Sequence, residues 1–306
     1  MSLVRFSRRA TSAAASVLIV GGLTGAASLR WGLHGHEIAG RAAATNLPPA
    51  MPAFFRNATE QLAYLNPEPD RWRGDRFREL NEAKRYDHYV DFEIIPDSII
   101  VAADRFQYLM ALQRHGVGNP ARDAGLLHFR IVEQYQSLVV QWRLWRREQD
   151  PVRRGWIEQR IINDAGIIGH YVTDGSNPHH TSVHHDGWRT DYPNPRGFTT
   201  GRGFHSRFEI QFVEANIRAA DLLPHIDASP RRLDDVRAEV MAHLLRSHDR
   251  LERLYELDQI EAFGRNTKGV AHREFAIERL VAGANMLRDI WWTAWLDSEP
   301  PVQDGR

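Results

Sequence analysis

Residues 120–149 read PARDAGLLHFRIVEQYQSLVVQWRLWRREQ, and this stretch decides the fold class of the chain. Its apolar side chains recur at steps of three and four residues: Leu126, Leu127, Ile131, Tyr135, Leu138, Val139 and Trp142. This spacing places them on one face of an α-helix. Residues 156–172 repeat the pattern through Ile161, Ile162 and Ile168. We therefore expect two long amphipathic helices in succession.

Helical patterns also dominate the chain on both sides of this pair. Further helices are predicted at 36–46, 51–65, 98–115, 205–223, 231–257 and 273–295. Neither internal repeats nor alternating strand patterns of useful length are seen. We therefore predict an all-α fold, with one globular multi-helix domain over residues 31–306. Residues 175–203 are rich in Gly, Pro, Asn and Thr and are predicted to form one long loop, which in a compact domain is usually functional.

The composition limits the chemistry available to the chain. Its 306 residues include no cysteine, so disulfides and thiolate metal sites are excluded. The 15 histidines are an unusually large number and leave open metals that prefer imidazole and carboxylate ligands. The formal net charge is zero, so any attraction to a polyanion must be local.

The first 30 residues have the pattern of a targeting segment. Arg5, Arg8 and Arg9 precede a small, apolar stretch over residues 10–27. This pattern predicts a signal peptide over residues 1–30 and a secreted or periplasmic protein. The alternative is a membrane anchor, for which the apolar run is rather short.

Two short motifs pair a histidine with an acid four residues later. His170 precedes Asp174, and His205 precedes Glu209, at the same spacing. On a helix each pair lies on one face, one turn apart, and can bind one metal ion from a rigid platform. The alternative interpretation is a helix salt bridge. Two such pairs flanking a histidine-rich loop favour the metal site.

The loop after Asp174 supplies further histidines. Gly175 and Pro178 predict a tight turn that brings His180 back towards the helix end. Adjacent side chains point in different directions, so at most one of His179 and His180 should bind the same ion. We interpret His184 and His185, further along the loop, as solvated or substrate-facing.

Two segments nearer the N-terminus complete the candidate set. Asp87-His88-Tyr89 offers another histidine beside an acid, which alone is a weak signal. Trp31-Gly32-Leu33-His34-Gly35-His36 is either a flexible stretch or one whose glycines let the backbone approach an ion closely.

Together these segments resemble a known family. Trp31-Gly-x-x-Gly-His36, Asp87-His88-Tyr89, His170-x3-Asp174-x5-His180 and His205-x3-Glu209 are similar to motifs of the three-zinc superfamily. That superfamily contains bacterial phospholipase C and the class I single-strand-specific nucleases of fungi and plants. The resemblance covers residues 31–209 and implies a helical zinc-dependent phosphodiester hydrolase with its metal site in a cleft.

The resemblance also implies a role for each matching residue. Asp70, His88 and His170 would hold one zinc ion, and Asp174 would bridge it to a second ion held by Trp31 and His36. His180, His205 and Glu209 would hold the third. Asp70 and Asp174 would be the catalytic residues, with Asp70 orienting the attacking water. Arg73 would contact the phosphate, and Tyr89 would stack on a base.

The sequence departs from the family pattern at several points. The family's Trp is the first residue of the mature protein, whereas the small-residue cleavage positions here, near Ala27 or Ser28, leave an extension before Trp31. Ile210 follows Glu209, where the nucleases carry a polar residue that reads the base. Asp75 is an alternative to Asp70 as the ligand.

Three functions remain in competition. A nuclease acting on single-stranded nucleic acid or nucleotides needs aromatic side chains near the metals, and Tyr89, Trp72 and Trp188 are candidates, although the tryptophans can equally serve packing. A phospholipase C hydrolysing phospholipid headgroups needs an apolar rim, for which Phe204 and Phe208 are candidates. A non-catalytic, carboxylate-bridged metal-binding bundle typically shows Glu-x-x-His repeats, which this chain lacks. No protein partner is implied, and a monomer is expected.

Overall fold

A computed structural model describes residues 32–300, except for the side chain of Asp75. The predicted signal peptide, Trp31 and the last six residues lie outside the described part. The longer helices are α1 (Gly32–Ala43), α2 (Thr59–Leu65), α3 (Arg78–Lys84), α4 (Arg105–Arg114), α5 (Leu127–Arg147), α6 (Pro151–Asp174), α7 (Val236–His248), α8 (Leu251–Ile260) and α9 (Val270–Asp297).

Shorter helical segments connect these elements. The α-helical ones are Ala53–Arg56, Glu68–Arg71, Asp97–Ile100, Pro120–Ala124, Phe204–Ser206, Val213–Asn216 and Ala219–Leu222. Single 3₁₀ turns cover Asp75–Phe77, Arg85–His88, Phe92–Ile94, Pro178–His180 and Leu223–His225. A π-helical segment, Arg207–Phe212, continues Phe204–Ser206 into Val213–Asn216.

The predicted all-α, single-domain fold is confirmed. Within residues 32–300, β-pairing is limited to isolated bridges between Val90 and Gly125 and between His185 and Gly187. Across the same residues, every helix is too short or too polar to cross a bilayer.

The core is built around the predicted pair of long helices. A short connection over residues 148–150 turns α5 back into α6, and both helices pack against α9. Phe55 lies between Trp142 of α5 and Trp291 of α9, with ring centroids 5.5 Å from each. The Trp291 indole N–H donates to the carbonyl of Ala165, 3.1 Å away, so its one polar group is satisfied inside the core.

Two glycines on α6 allow the end of α2 to approach closely. A Cβ atom at Gly166 would lie 2.4 Å from Cβ of Leu65, and one at Gly169 would lie 2.5 Å from Nδ2 of Asn66. At Gly166 a larger residue would require movement of the neighbouring helix, and at Gly169 it would displace the side chain of Asn66. The contact places Asn66, which follows α2, beside the C-terminal half of α6.

The helix predicted over 120–149 is interrupted at Gly125. Gly125 has φ +74°, and a Cβ atom there would lie 2.0 Å from the carbonyl oxygen of Tyr89. The chain therefore ends one short helix, turns, and begins α5 at Leu127, whose N–H donates to that same carbonyl at 3.1 Å. The interruption fixes the segment that carries His88 and Tyr89.

Other predicted helices are also divided or shortened. The stretch 98–115 breaks before Asp104, whose side chain caps α4 by accepting from the N–H groups of Phe106 and Gln107. The stretch 51–65 divides between Arg56 and Thr59, and 231–257 becomes α7 and α8. The stretch 205–223 adopts the π-helical segment and then breaks at Ile217. Apolar periodicity continues across each break, so the pattern alone did not reveal it.

Candidate metal centre

Histidine and carboxylate side chains from six parts of the chain converge into three overlapping groups. The groups are Asp70–His88–His170, His36–His170–Asp174 and His180–His205–Glu209, and in each the candidate ligand atoms lie within 4.8 Å of one another. Seven of these eight side chains are buried, and His205 is partly exposed. Such a set of imidazole and carboxylate donors could hold divalent metal ions.

Asp174, the last residue of α6, lies at the centre of the site. Its Oδ2 atom is 3.0 Å from Nδ1 of His88 and 3.2 Å from Nε2 of His170. Its Oδ1 atom is 3.5 Å from Nε2 of His36 and 3.5 Å from Nδ1 of His180. Burial would raise the pKa of this carboxyl, but the charges of His180 and His170 outweigh burial and hold the pKa well below its usual value. Asp174 is therefore an anion shared by the histidines around it.

The first group combines Asp70, His88 and His170. The 3₁₀ turn Arg85–His88 ends on His88, and Asp70 lies in the short helix Glu68–Arg71. Nε2 of His170 is 2.9 Å from Nδ1 of His88 and 3.8 Å from Oδ1 of Asp70. Burial raises the pKa of Asp70, which is partly opposed by His170 and His36. Two imidazole nitrogens and a carboxylate thus face one small space.

The second group adds His36 from α1. Its ring stacks on that of His170, with centroids 4.0 Å apart and planes inclined by 22°. Nδ1 of His36 is 3.0 Å from Oδ1 of Asn66, which directs Nε2 towards Asp174. A side-chain oxygen on the outer nitrogen is a common way to orient a metal-binding histidine. Trp31, the other residue expected here, lies outside the described residues.

The third group uses the loop after α6 and the π-helical segment. Nε2 of His205 is 2.9 Å from Oε2 of Glu209, and Nε2 of His180 is 3.6 Å from the same oxygen. Asn177 donates to that oxygen at 3.0 Å. The outer nitrogen of His180, Nδ1, lies 2.6 Å from the main-chain carbonyl of His88. π-Helical turns are frequent at functional sites, because they reposition side chains within a helix.

The fit to metal ions can be judged from buried polar atoms. Nε2 of His36, both carboxylate oxygens of Asp70, Oδ1 of Asp174 and Nε2 of His180 are buried without a hydrogen-bond partner among residues 32–300. Buried polar atoms are nearly always paired, and each unpaired one costs about 1–3 kcal/mol. Here the unpaired atoms belong to one connected site and have the chemistry of metal ligands. The described residues therefore fit bound cations well.

A cleft of about 160 Å³ opens beside the third group. Its lining residues are Arg85, Tyr89, Asp91, Arg122, His179, His180, His185 and His205. Most of them are hydrogen-bonding or charged, so the cleft is suited to a polar, anionic ligand. The cleft opens an otherwise largely buried site to solvent at His180 and His205.

The predicted substrate-binding residues lie near the centre. Tyr89 forms part of the cleft wall, and its hydroxyl donates to the main-chain carbonyl of Arg122. Burial, with added repulsion from His170 and Arg73, lowers the pKa of His88 well below its usual value. Arg73 is therefore close enough to act electrostatically on the first group.

The remaining histidines of the loop have separate surroundings. His184 stacks on Trp188 with centroids 3.8 Å apart, and its Nδ1 accepts from the N–H of Arg189 at 3.0 Å, so it stabilises the loop. His185 lies in the cleft wall. His179 is buried edge-on against Phe204 and lies outside the three groups, although its ring is 4.8 Å from that of His205.

Several aromatic candidates prove to be packing residues. Phe204 and Phe208 are fully buried and contact Phe263, so they cannot form an apolar rim. Trp188 packs against Phe198 within the loop, and Trp72 is partly buried with its indole N–H donating to Glu68. Asn66 and Asn177, which hold His36 and Glu209, were missed in the sequence because a lone asparagine has no metal-ligand pattern.

No family model, curated protein or solved structure matches the chain.

Proposed function

We propose that this protein is a zinc-dependent phosphodiester hydrolase that acts as a nuclease on single-stranded nucleic acid or nucleotides. The observation that carries the proposal is the convergence of three histidine–carboxylate groups on Asp174, beside a cleft with arginines in its wall. Three zinc ions would be held by the described ligands: His36, Asp70, His88, His170, Asp174, His180, His205 and Glu209. The spacing of the sequence motifs, which resembles the three-zinc superfamily, supports the same assignment.

The residues of the chain have distinct tasks in this proposal. Bound zinc ions would supply charge neutralisation at the phosphate and a water whose pKa is lowered to about 7. The Asp70 carboxylate orients the attacking water, and Arg73 holds a phosphate oxygen. Asp174 fixes the histidines of the different groups relative to one another. Burial of seven of the eight ligands strengthens these electrostatic interactions.

Nucleic acid is favoured over phospholipid by the surroundings of the cleft. The aromatic residues considered for a lipid-facing rim, Phe204 and Phe208, are buried in the core. The cleft instead has Tyr89 for stacking on a base and two arginines for phosphate. The apolar, arginine-preceded segment at residues 1–30 supports export to the periplasm or medium as part of this proposal.

A substrate comparison tests the proposed function. The purified protein is incubated with single-stranded DNA and, separately, with a phosphatidylcholine emulsion, each with and without EDTA. We expect cleavage of the DNA that EDTA abolishes and added Zn²⁺ restores. EDTA-sensitive release of phosphocholine without DNA cleavage would assign a phospholipase C instead. Inactivity on both substrates after zinc loading would contradict the proposed hydrolase function.

A further inference from the structure

Arg85 lies on the wall of the cleft, immediately before the metal-site segment. It begins the 3₁₀ turn that ends on His88, so its position is coupled to the first group. One guanidinium nitrogen, Nη1, contacts Oε1 of Glu82 at 3.0 Å, and the side chain remains 40% exposed. Among residues 32–300 the guanidinium also lies over the ring of Tyr86, 5.4 Å from its centroid, and further N–H donors are available to a ligand, since arginine carries five.

Arg122 forms the neighbouring part of the wall and is fixed to Tyr89. The Arg122 carbonyl accepts a hydrogen bond from the hydroxyl of Tyr89. Five residues further along the chain, the N–H of Leu127 donates to the Tyr89 carbonyl. Nε of Arg122 contacts Oδ1 of Asp123 at 2.8 Å, while the side chain is 58% exposed. The wall thus presents two accessible cations beside an aromatic ring, and the largely buried Asp91 is also part of this wall.

This arrangement is more than a single phosphodiester requires. His180 and His205 of the third group line the same cleft, and Arg73 acts on the first group, so the reacting phosphate already has partners at the metal centre. A phosphatidylcholine headgroup offers one phosphate and a quaternary ammonium, which two guanidinium groups would repel. A polynucleotide offers a second phosphate and a base next to the first.

We propose that Arg85 and Arg122 form a subsite for a phosphate adjacent to the scissile one, which makes single-stranded oligonucleotides the substrate class of this cleft. The proposal rests on the proposed nuclease function. Guanidinium groups suit it because they bind phosphate oxygens through paired N–H donors and remain charged at every physiological pH. The two arginines act in substrate binding and leave the chemistry at the metal centre unchanged.

The test measures binding separately from hydrolysis. Fluorescence anisotropy with a fluorescein-labelled (dT)₁₀ is recorded in EDTA for the full chain, for R85Q/R122Q and for the charge-preserving R85K/R122K. We expect Kd to rise about tenfold in R85Q/R122Q and to be partly recovered in R85K/R122K. The slope of log Kd against the logarithm of the salt concentration should decrease by about one to two, because up to two phosphate contacts are lost. The control is R153Q/R160Q, which removes two exposed arginines that lie at least about 15 Å from His170 along α6.

The outcomes separate the subsite from the proposed function. An unchanged Kd in R85Q/R122Q, or an equal loss in the control, would overturn the subsite. Hydrolysis of bis(p-nitrophenyl) phosphate, which has one phosphate, should fall less in R85Q/R122Q than hydrolysis of (dT)₁₀ does when zinc is present. An equal loss with this small diester would also overturn the subsite, because it would place the arginines in the support of the metal centre. If the unaltered protein hydrolyses no phosphodiester, the nuclease function fails, and the anisotropy comparison alone decides whether the arginines bind phosphate.

Discussion

Nδ1 of His88 lies 3.0 Å from Oδ2 of Asp174, although 86 positions separate these residues in the chain. His88 belongs to one candidate group and Asp174 to another, and both side chains are fully buried. The contact makes the two groups one electrostatic unit. A change at Asp174 should therefore affect ligands on several elements.

Replacing Asp174 by Asn should remove activity and metal together. The amide keeps the shape of the side chain but loses the negative charge that four nearby histidines share. We expect phosphodiester hydrolysis to fall by more than about a hundredfold, since even outer-shell changes at metal sites cost 10–100-fold. Bound metal, measured by mass spectrometry, should fall with it, whereas helical circular dichroism should persist. Asp164→Asn on the same helix is the control, because Asp164 accepts from Gln141 outside the site. Full activity in Asp174→Asn would refute the scheme.

Asn66 should tune metal affinity without being a ligand. Its Oδ1 atom is 3.0 Å from Nδ1 of His36 and is the oxygen that orients this ring. Asn66→Ala should weaken metal binding by about 10–100-fold, measured by competition with a chromophoric chelator. Excess zinc should restore activity, which an unfolded protein would not show. Metal affinity equal to that of the unaltered protein would contradict the orienting role.

The approach of α2 to α6 predicts opposite effects for two glycine substitutions on α6. Gly166→Ala should lower the free energy of unfolding by about 1–3 kcal/mol, because its Cβ would collide with Leu65. The Cβ atom added by Gly155→Ala would have no neighbouring atom within 4 Å. Because alanine is favoured over glycine inside a helix, this substitution should raise the free energy of unfolding by about 0.5–1 kcal/mol. Urea unfolding measures both values. A stabilised Gly166→Ala would show that the two helices are not in close contact.

His128 should make the protein sensitive to acid. Burial, with the charges of Arg237 and Arg105, lowers its pKa to about 3, from about 6.5 in an unfolded chain. The unfolded chain therefore binds this proton first, and stability is lost as pH falls from 6.5 towards 3, by up to about 1.4 kcal/mol per pH unit. His128→Leu removes this proton site, so its free energy of unfolding should depend less steeply on pH between 7 and 5. Parallel pH profiles for the two proteins would contradict the burial of a neutral His128.

The sequence predicted the helical architecture because its signals are local. The apolar periodicity of α5 and α6 and the His–x3–acid pairs of His170–Asp174 and His205–Glu209 each lie within one element. The breaks at Gly125 and before Asp104 were missed, because they depend on contacts with Tyr89 and on a helix cap that apolar spacing does not encode.

The site was predictable as a list of residues but less so as a geometry. The resemblance named His36, Asp70 and His88, and the structure brings these residues beside His170 and Asp174. The orienting partners of His36 and His180, which are Asn66 and the main-chain carbonyl of His88, could not be predicted, because they arise where separate elements pack together. Asp75 stays open as an alternative ligand, since its side chain is outside the described part.

The most direct test of the metal centre is X-ray diffraction from crystals of the zinc-loaded protein, recorded above and below the zinc absorption edge. We expect three anomalous peaks, one within ligand distance of each group: Asp70–His88–His170, His36–His170–Asp174 and His180–His205–Glu209. Well-ordered histidine side chains in these groups with no anomalous peak among them would contradict the account.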